Sequence, residues 1–351
     1  MLARSHRPRL TADTGRSFLV TFVAVVVVAA FLSPLAHSFF VSIKNPTQLA
    51  DQNSPLLPSS PATFAYQGQT YDLYQVPLPG SGTKELALFR KGRTSSEFLD
   101  PANVGVGPIT WEGSWRTLLP AYHLAPQWQN YANAWTEIEF PRLLFNTIAI
   151  AVIGMIGTVV SCTLVAYGFS RFRFRGRNTL FLAVVATIFL PGAVTVIPTY
   201  TIFAKIGWVG TWLPLLVPAF FANAYDVFLL RQYFMTIPRE MDEAAAIDGA
   251  GPFRTLVSVL LPQAWPVIIA VSIFHLVYSW NDFFAPLIYL SSAPDLQTLP
   301  VGLARFSGAR VAQDPGLIQA GVLMTMLVPI LLFALFQRFF TRGIVITGVE
   351  R

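Results

Sequence analysis

Six long apolar runs divide this chain, with polar, Arg-rich or Pro-rich segments between them. A helix needs about 20 apolar residues to cross the hydrocarbon core of a bilayer. The runs Ser17–Ile43, Leu143–Tyr167, Leu180–Phe203, Leu213–Leu230, Trp265–Leu290 and Ile318–Phe336 approach or exceed that length, and each is expected to be a transmembrane helix. The first follows Arg4, Arg7, Arg9 and Arg16, as a signal peptide would. Its apolar stretch exceeds the usual h-region of about 7–15 residues, which predicts a retained helix. Pro191, Pro198, Pro214 and Pro218 fall in the third and fourth runs. They predict kinks, since membrane helices tolerate proline where neighbours satisfy the freed backbone groups.

Between the first two runs the pattern changes to a Pro- and Ser-rich linker, Asn53-Ser54-Pro55 to Ser59-Ser60-Pro61, followed by alternating segments. Thr63–Tyr66, Gln69–Val76 and Glu85–Phe89 read as strands, separated by Gln67-Gly68 and Pro79-Gly80-Ser81-Gly82 as turns. A short helix is expected near Trp128 to Trp135. Four arginines lie in Arg171-Phe172-Arg173-Phe174-Arg175-Gly176-Arg177 between the second and third runs, and Arg338, Arg342 and Arg351 lie near the C-terminus. The segment between the third and fourth runs carries only Lys205. Basic loops stay in the cytoplasm, so both termini are expected inside and residues 44–142 outside.

Composition agrees with a lipid environment. Hydrophobic residues make up 54% of the 351 and charged residues only 12%, against about 25% charged in soluble domains. The net charge of +6 resides in arginines beside apolar runs, not in a basic surface interleaved with aromatics, which argues against nucleic acid. The single cysteine, Cys162, sits in an apolar run and reads as a small core residue. One Cys and four unclustered His predict no metal site.

The segment from Ile237 to Pro252 is the most informative. Thr236 is placed to cap a short helix and Pro238 to sit in its first turn. Glu240, Asp242 and Glu243 lie near its positive end. Gly249 suits the left-handed residue that ends a helix, and Pro252 prevents continuation. Ala244, Ala245 and Ala246 keep it thin enough for another surface to approach, so it reads as a docking knob.

This stretch resembles the EAA loop of ATP-binding-cassette (ABC) importer permeases: Glu-Ala-Ala, three residues, Gly, nine residues, Ile, any residue, Leu-Pro. Here these positions are Glu243-Ala244-Ala245, Gly249 and Val259-Leu260-Leu261-Pro262, with Val259 in place of Ile. Leu230-Arg231-Gln232-Tyr233-Phe234 and Tyr278-Ser279-Trp280-Asn281-Asp282-Phe283 resemble the carbohydrate-importer permeases, in particular subunits like the second membrane protein of the maltose transporter. The resemblance covers about Tyr131 to Arg351 and the first helix; the insert departs from the short loop of that family. It implies an all-α integral membrane fold of the type I ABC-importer kind, six transmembrane helices with a small extracytoplasmic β-containing insert between helices 1 and 2. The resulting map is a cytoplasmic N-terminus (1–16), a first helix (17–43), the insert (44–127), a permease core (128–340) with a coupling loop (236–262), and a cytoplasmic tail (341–351). It also implies a complex in the cytoplasmic membrane of a prokaryote: a second permease subunit, two copies of an ATPase, and an extracytoplasmic solute-binding protein. Glu240, Glu243, Ala244, Ala245, Asp248, Gly249, Ala250 and Pro262 would couple to the ATPase. ATP and Mg would be bound by that partner, since this chain has no Gly-x4-Gly-Lys-Ser/Thr phosphate loop and is not itself expected to be an enzyme. The tail Gly343–Val349 resembles the segment after the family's last helix.

Polar residues inside the spans leave alternatives open. Asn281 and Asp282, with Asn146, Tyr278 and Trp280, either line a sugar path or form a packing network, because polar groups in membranes face cavities or partners. Asp226 is either a gate or an end residue snorkelling near Arg231. Glu240 and Asp248 either pair with partner cations or are simply solvated. The competing solute class is a phosphate such as glycerol phosphate, which would want Arg or Lys within the spans. An enzyme carried by the insert would have to use His123, Asp100 and Glu112 without a nucleophile motif.

Overall fold

The computed structural model describes residues 10–51, 53–78, 82–310 and 314–344. The basic residues Arg4, Arg7 and Arg9, most of the Pro79–Gly82 turn, and the tail beyond Ile344 lie outside the described residues.

In chain order the helices are α1 (Leu10–Ser42), α2 (Pro46–Ala50), α3 (Gln129–Glu137), α4 (Phe140–Arg171), α5 (Arg177–Ala186), α6 (Gly192–Lys205), α7 (Leu213–Leu216) and α8 (Ala224–Thr236). They continue as α9 (Glu240–Ile247), α10 (Pro252–Thr255), α11 (Leu261–Asn281), α12 (Phe284–Tyr289), α13 (Leu299–Arg310) and α14 (Pro315–Ile344). Between α2 and α3 lie eight strands: β1 (Ser59–Pro61), β2 (Thr63–Tyr66), β3 (Gln69–Leu78), β4 (Gly82–Arg90), β5 (Ser95–Leu99), β6 (Ile109–Glu112), β7 (Leu119–Pro120) and β8 (Tyr122–Leu124). The chain divides into two compact units, 1–134 with 310–323, and 135–309 with 324–351.

Among the described residues five helical segments are long and apolar enough to cross a membrane, or six if α5 and α6 together make one span. That pair is bent by 100°, where Pro191 removes a donor and Gly192 starts α6. The fourth apolar run is also interrupted: Val217–Phe221 tightens to 3₁₀, and Ala222 takes φ +56°, before Asn223 caps α8. The fifth run ends earlier than its hydropathy indicates, because α11 stops at Asn281 and a separate α12 begins at Phe284.

In the first unit, β2 to β6 form an antiparallel meander, and β7 pairs with β3. The β2–β3 hairpin turns on Gln67 and Gly68, both at positive φ (50° and 79°), the geometry of the two-residue turns that match strand twist. Alternation sends β4 side chains to opposite faces. Leu86 and Leu88 pack with Val76, Phe98 and Leu118; Ala87 packs with Leu73, Leu99 and Ala121. The neck is closed by β1 against β8, Ser59 opposite Leu124. Gln48, fully buried, ties it from within: Nε2 donates to the carbonyls of Pro55 and Leu57 (2.8 and 2.7 Å) and Oε1 accepts from Ser59 N–H (2.9 Å).

The second unit is built on α4, α8 and α11. In lipid, helices gain little from burying apolar surface against one another, so close packing of small residues takes over. The buried stripe of α4 is Ala151, Gly154, Gly157, Thr158, Cys162 and Ala166. Cys162 is fully buried beside Val227, Leu230, Leu260 and Ala264, and its Sγ faces Asn223 N–H at 3.4 Å. A Cβ on Gly154 would lie 2.7 Å from Nε2 of His275, and one on Gly157 would lie 2.8 Å from the ring of Phe220.

Candidate functional site

The loop between α8 and α11 holds the docking segment. Its helix starts later than its sequence suggests. Thr236 does not cap α9; it is the last residue of α8, and its hydroxyl donates back to Tyr233 C=O at 2.8 Å. Arg239 occupies the N-cap of α9, without a side-chain cap bond. Three carboxylates, Glu240, Asp242 and Glu243, then occupy the first turn, where the helix dipole favours negative charge. At the other end Gly249 takes φ +76°. This lets the N–H groups of Asp248, Gly249 and Ala250 reach the carbonyls of Ala244, Ala246 and Ala245 at 3.1, 3.0 and 2.8 Å, closing the orphan carbonyls of the helix end.

One side of α9 faces the protein, where Ala245 is 8% exposed. Glu240, Glu243, Ala244, Ala246, Asp248 and Gly249 are exposed. Two apolar side chains that the motif alone did not single out protrude here: Ile247, 86% exposed, and Phe253, 71% exposed. Ala250 is half-buried, and Pro262 is exposed at the start of α11. Past α10 the backbone widens to a π-helix over Leu256–Leu260, so Val259, Leu260 and Leu261-Pro262 mark the passage from docking loop to membrane helix.

The loop is fastened to the end of α4, a feature sequence reading missed. Arg171 Nε lies 3.1 Å from Asp242 Oδ2, with the Arg171 side chain only 8% exposed. Its Nη2 donates to Ile237 C=O (3.0 Å). Tyr167 hydroxyl donates to Pro252 C=O (2.9 Å), and Arg239 reaches Ser170 C=O (3.5 Å). The Arg171–Arg177 cluster had carried meaning only as a basic loop. The partner of Arg171 lies far away in sequence, so only the fold brings it to the coupling helix.

The polar residues of the expected path are not brought together. Asn146 is buried, and its Nδ2 donates to the carbonyls of Asp295 and Gln297 (2.8 and 2.9 Å), so its amide braces that loop. Trp280 is buried, whereas Tyr278 and Asn281 lie exposed on another face of α11. Asn281 Nδ2 bonds back to Val277 C=O (2.8 Å). Asp282 accepts from Ala285 N–H (3.2 Å) in the first turn of α12 and lies one residue before its N-cap Phe283, in the break between helices rather than inside a span. Asp226 does not snorkel toward Arg231. It sits buried in the first turn of α8, where its N–H donates to Asn223 Oδ1 (2.9 Å) and its Oδ2 accepts from Asn223 Nδ2 (2.6 Å). Arg231 instead stacks 4.0 Å over the ring of Phe181.

Residues 157–345 match the family described as binding-protein-dependent transport system inner membrane component. The chain belongs to that family. It is thus an ABC-importer permease, a multi-pass inner-membrane protein, and the docking loop lies wholly inside the matched segment. Among curated relatives, the sn-glycerol-3-phosphate transport system permease protein UgpE of Agrobacterium fabrum is 33% identical over 236 residues, covering 66% of this chain and 83% of that protein. The osmoprotective compounds uptake permease protein GgtD of Synechocystis is 31% identical over 222 residues, covering 63% and 74%. Among solved structures, a bacterial ABC transporter involved in the import of the acidic polysaccharide alginate superposes with a TM-score of 0.65 at 19% identity, over 96% of this chain and 100% of that one. The fold of this family's permeases is therefore the fold of this chain.

Proposed function

We propose that this chain is one of two permease subunits of an importer for a sugar or sugar-like solute, worked by alternating access and driven by a separate ATPase bound at α9. The observation that carries this is the build of α9: a short helix stopped by left-handed Gly249, acidic at its start and topped by outward-facing Ile247. Ile247 and Phe253 are both strongly exposed apolar side chains in this loop of polar neighbours, and apolar surface rimmed by polar residues marks interaction sites. Closure of the ATPase pair would move α9 and switch the permease between inward- and outward-facing states, domain closure turned into transport. The basic Arg171–Arg177 loop supports a cytoplasmic side for α9 and both termini and an external side for residues 44–127, where a solute-binding protein would deliver the cargo. Six spans are counted by taking α5 and α6 as one bent span.

Among the relatives, the glycerol-phosphate permease of A. fabrum makes sn-glycerol 3-phosphate the second reading. Within the six apolar runs the sequence has no Lys or Arg, whereas a permeating phosphate would be expected to need a cation along its path. That favours a neutral sugar. The test is co-purification with the genomic neighbours, followed by ATPase assays in lipid with binding protein loaded with sugars or with sn-glycerol 3-phosphate. An ATPase and a second permease should copurify with wild type and be lost with Glu243→Arg or Ile247→Asp. Stimulation by the glycerol-phosphate-loaded protein alone would overturn the sugar reading. A wild-type chain that purifies alone and moves solute without ATP would overturn the importer.

A further inference from the structure

We infer that α4 is the strut that carries movement of the coupling helix to the loop at its far end, and that Arg171, Asp242 and Tyr167 are the positioning residues that lock the strut on. The inference rests on the docking of the ATPase at α9. Three elements leave the docking loop; one is interrupted, and a second is continuous but carries a π segment and an internal proline. The route through α8 meets the break at Ala222 (φ +56°) and the 3₁₀ turn of Val217–Phe221. The route through α10 meets the π-helix at Leu256–Leu260 and then Pro266 inside α11. Kinks concentrate at such features. By contrast α4 runs for 32 residues with its only proline at the N-terminal turn, a rod of about 48 Å at 1.5 Å per residue.

Both ends of this rod are fastened. At one end Arg171 is ion-paired with Asp242 of α9, without a hydrogen bond from its Nε, and its Nη2 donates to the carbonyl of Ile237, while Tyr167 donates to the carbonyl of Pro252, so α4 grips the docking loop before and after α9. At the other end Asn146 donates to the carbonyls of Asp295 and Gln297, and Thr147 Oγ1 accepts from Leu299 N–H (2.8 Å). Arg142 adds an ion pair to Asp295 at 2.8 Å. Gln297, Thr298 and Leu299 are buried at 5%, 2% and 0% exposure, so the loop has little freedom to move apart from α4. A rigid element held at two sites by directional bonds is a physical route for coupling between them.

The experiment is hydrogen–deuterium exchange on the assembled transporter in lipid, with and without ATP and Mg. Two windows are read, residues 240–255 and 294–299. Wild type should change exchange in both windows. The double variant Tyr167→Phe/Arg171→Gln, which leaves every residue of α9 in place, should keep the ATPase bound and the response in the first window, and lose the second response by about two-fold or more. If both windows respond as in wild type, the fastening is packing alone and the proposal is wrong. It is equally wrong if the first window falls silent with the ATPase still bound, because the residues would then only fold α9. Should the double variant fail to assemble, Tyr167→Phe alone decides by the same two windows. Failure of the docking reading looks different: wild type itself would bind no ATPase or show no ATP response at 240–255.

Discussion

Gly249 shows how one backbone angle shapes the docking surface. Its φ of +76° lies in the left-handed region, and a Cβ there would meet nothing within 4 Å. The penalty for substitution is therefore conformational, about 1–2 kcal/mol for ordinary L-residues and less for Asn, which visits this region more readily. Gly249→Asn should keep the ATPase bound, whereas Gly249→Val should lower both thermal stability and copurification. Equal loss in both would mean that bulk at the surface matters, not the angle. In the insert, Tyr122 hydroxyl donates to Asp51 Oδ2 at 2.6 Å. The bond from Tyr122, with one from Asn53 N–H, holds the Asp51 carboxyl below its usual range. Burial first, and then Asp51, push Tyr122 up to about 12. The sign follows for each group. The Asp51 contribution is present above the ordinary carboxylate value near ~4 and lost as pH falls through the lowered one; that of Tyr122 is present below ~10 and lost as pH rises through its raised value. In Tyr122→Phe the Asp51 carboxyl should titrate closer to an ordinary aspartate, read by carbon NMR of labelled Asp. An unchanged midpoint would show that the bond does not form in solution.

Helix packing in the second unit depends on α4 coming close to α11 at Gly154. The added methyl of Gly154→Ala would approach His275 Nε2 at 2.7 Å, and that ring has little room to swing because Nδ1 is bonded to Thr158 Oγ1 at 3.0 Å. Overpacking of this kind costs about 1–3 kcal/mol, so Gly154→Ala should lower the melting temperature. The added alanine at Gly157 should cost less, because the opposing Phe220 is 49% exposed and free to yield; the reverse order would refute this account. The sequence made the apolar runs legible because lipid demands long stretches without charge. It hid the ends of those runs, where hydropathy continues but the backbone does not: Pro191 bends one, and another stops at Asn281 before a new helix starts at Phe284. The start of α9 misled for a related reason. Thr236 and Pro238 carry the chemistry of a helix start, yet the hydroxyl is used by the helix before. Strands β5 and β6 are short, and Ser95, Ser96, Glu97 and Thr110 blur their alternation. The docking motif was readable because its residues are contiguous, while the Arg171–Asp242 fastening and the Asn146 brace depend on partners distant in sequence.

Within the first unit, the chain enters and leaves the β meander through one narrow neck. Pro61 and Tyr122 are directly opposed partners across β1 and β8, so their Cα atoms lie about 4.5–5.5 Å apart. Everything between them leaves from and returns to one point. The neck is held by residues on either side of that excursion: Gln48 bonds to Pro55, Leu57 and Ser59, and Ala125 N–H donates to Pro58 C=O at 3.2 Å. The meander also brings its own two clusters of buried side chains, one on each face. A segment with its own core and adjacent ends is removable without pulling its attachment points apart. Deleting residues 62–121 and joining Pro61 to Tyr122 through Asn-Gly, the two-residue turn that suits antiparallel strands, should leave a chain that still enters the membrane. It should still capture the ATPase as well, because the contacts holding α9 come from α4 and the loop itself. Membrane fractionation and pull-down read the two properties separately. If the shortened chain inserts but no longer binds the ATPase, the coupling site depends on the meander. If it fails to insert, the meander is needed to fold the helices.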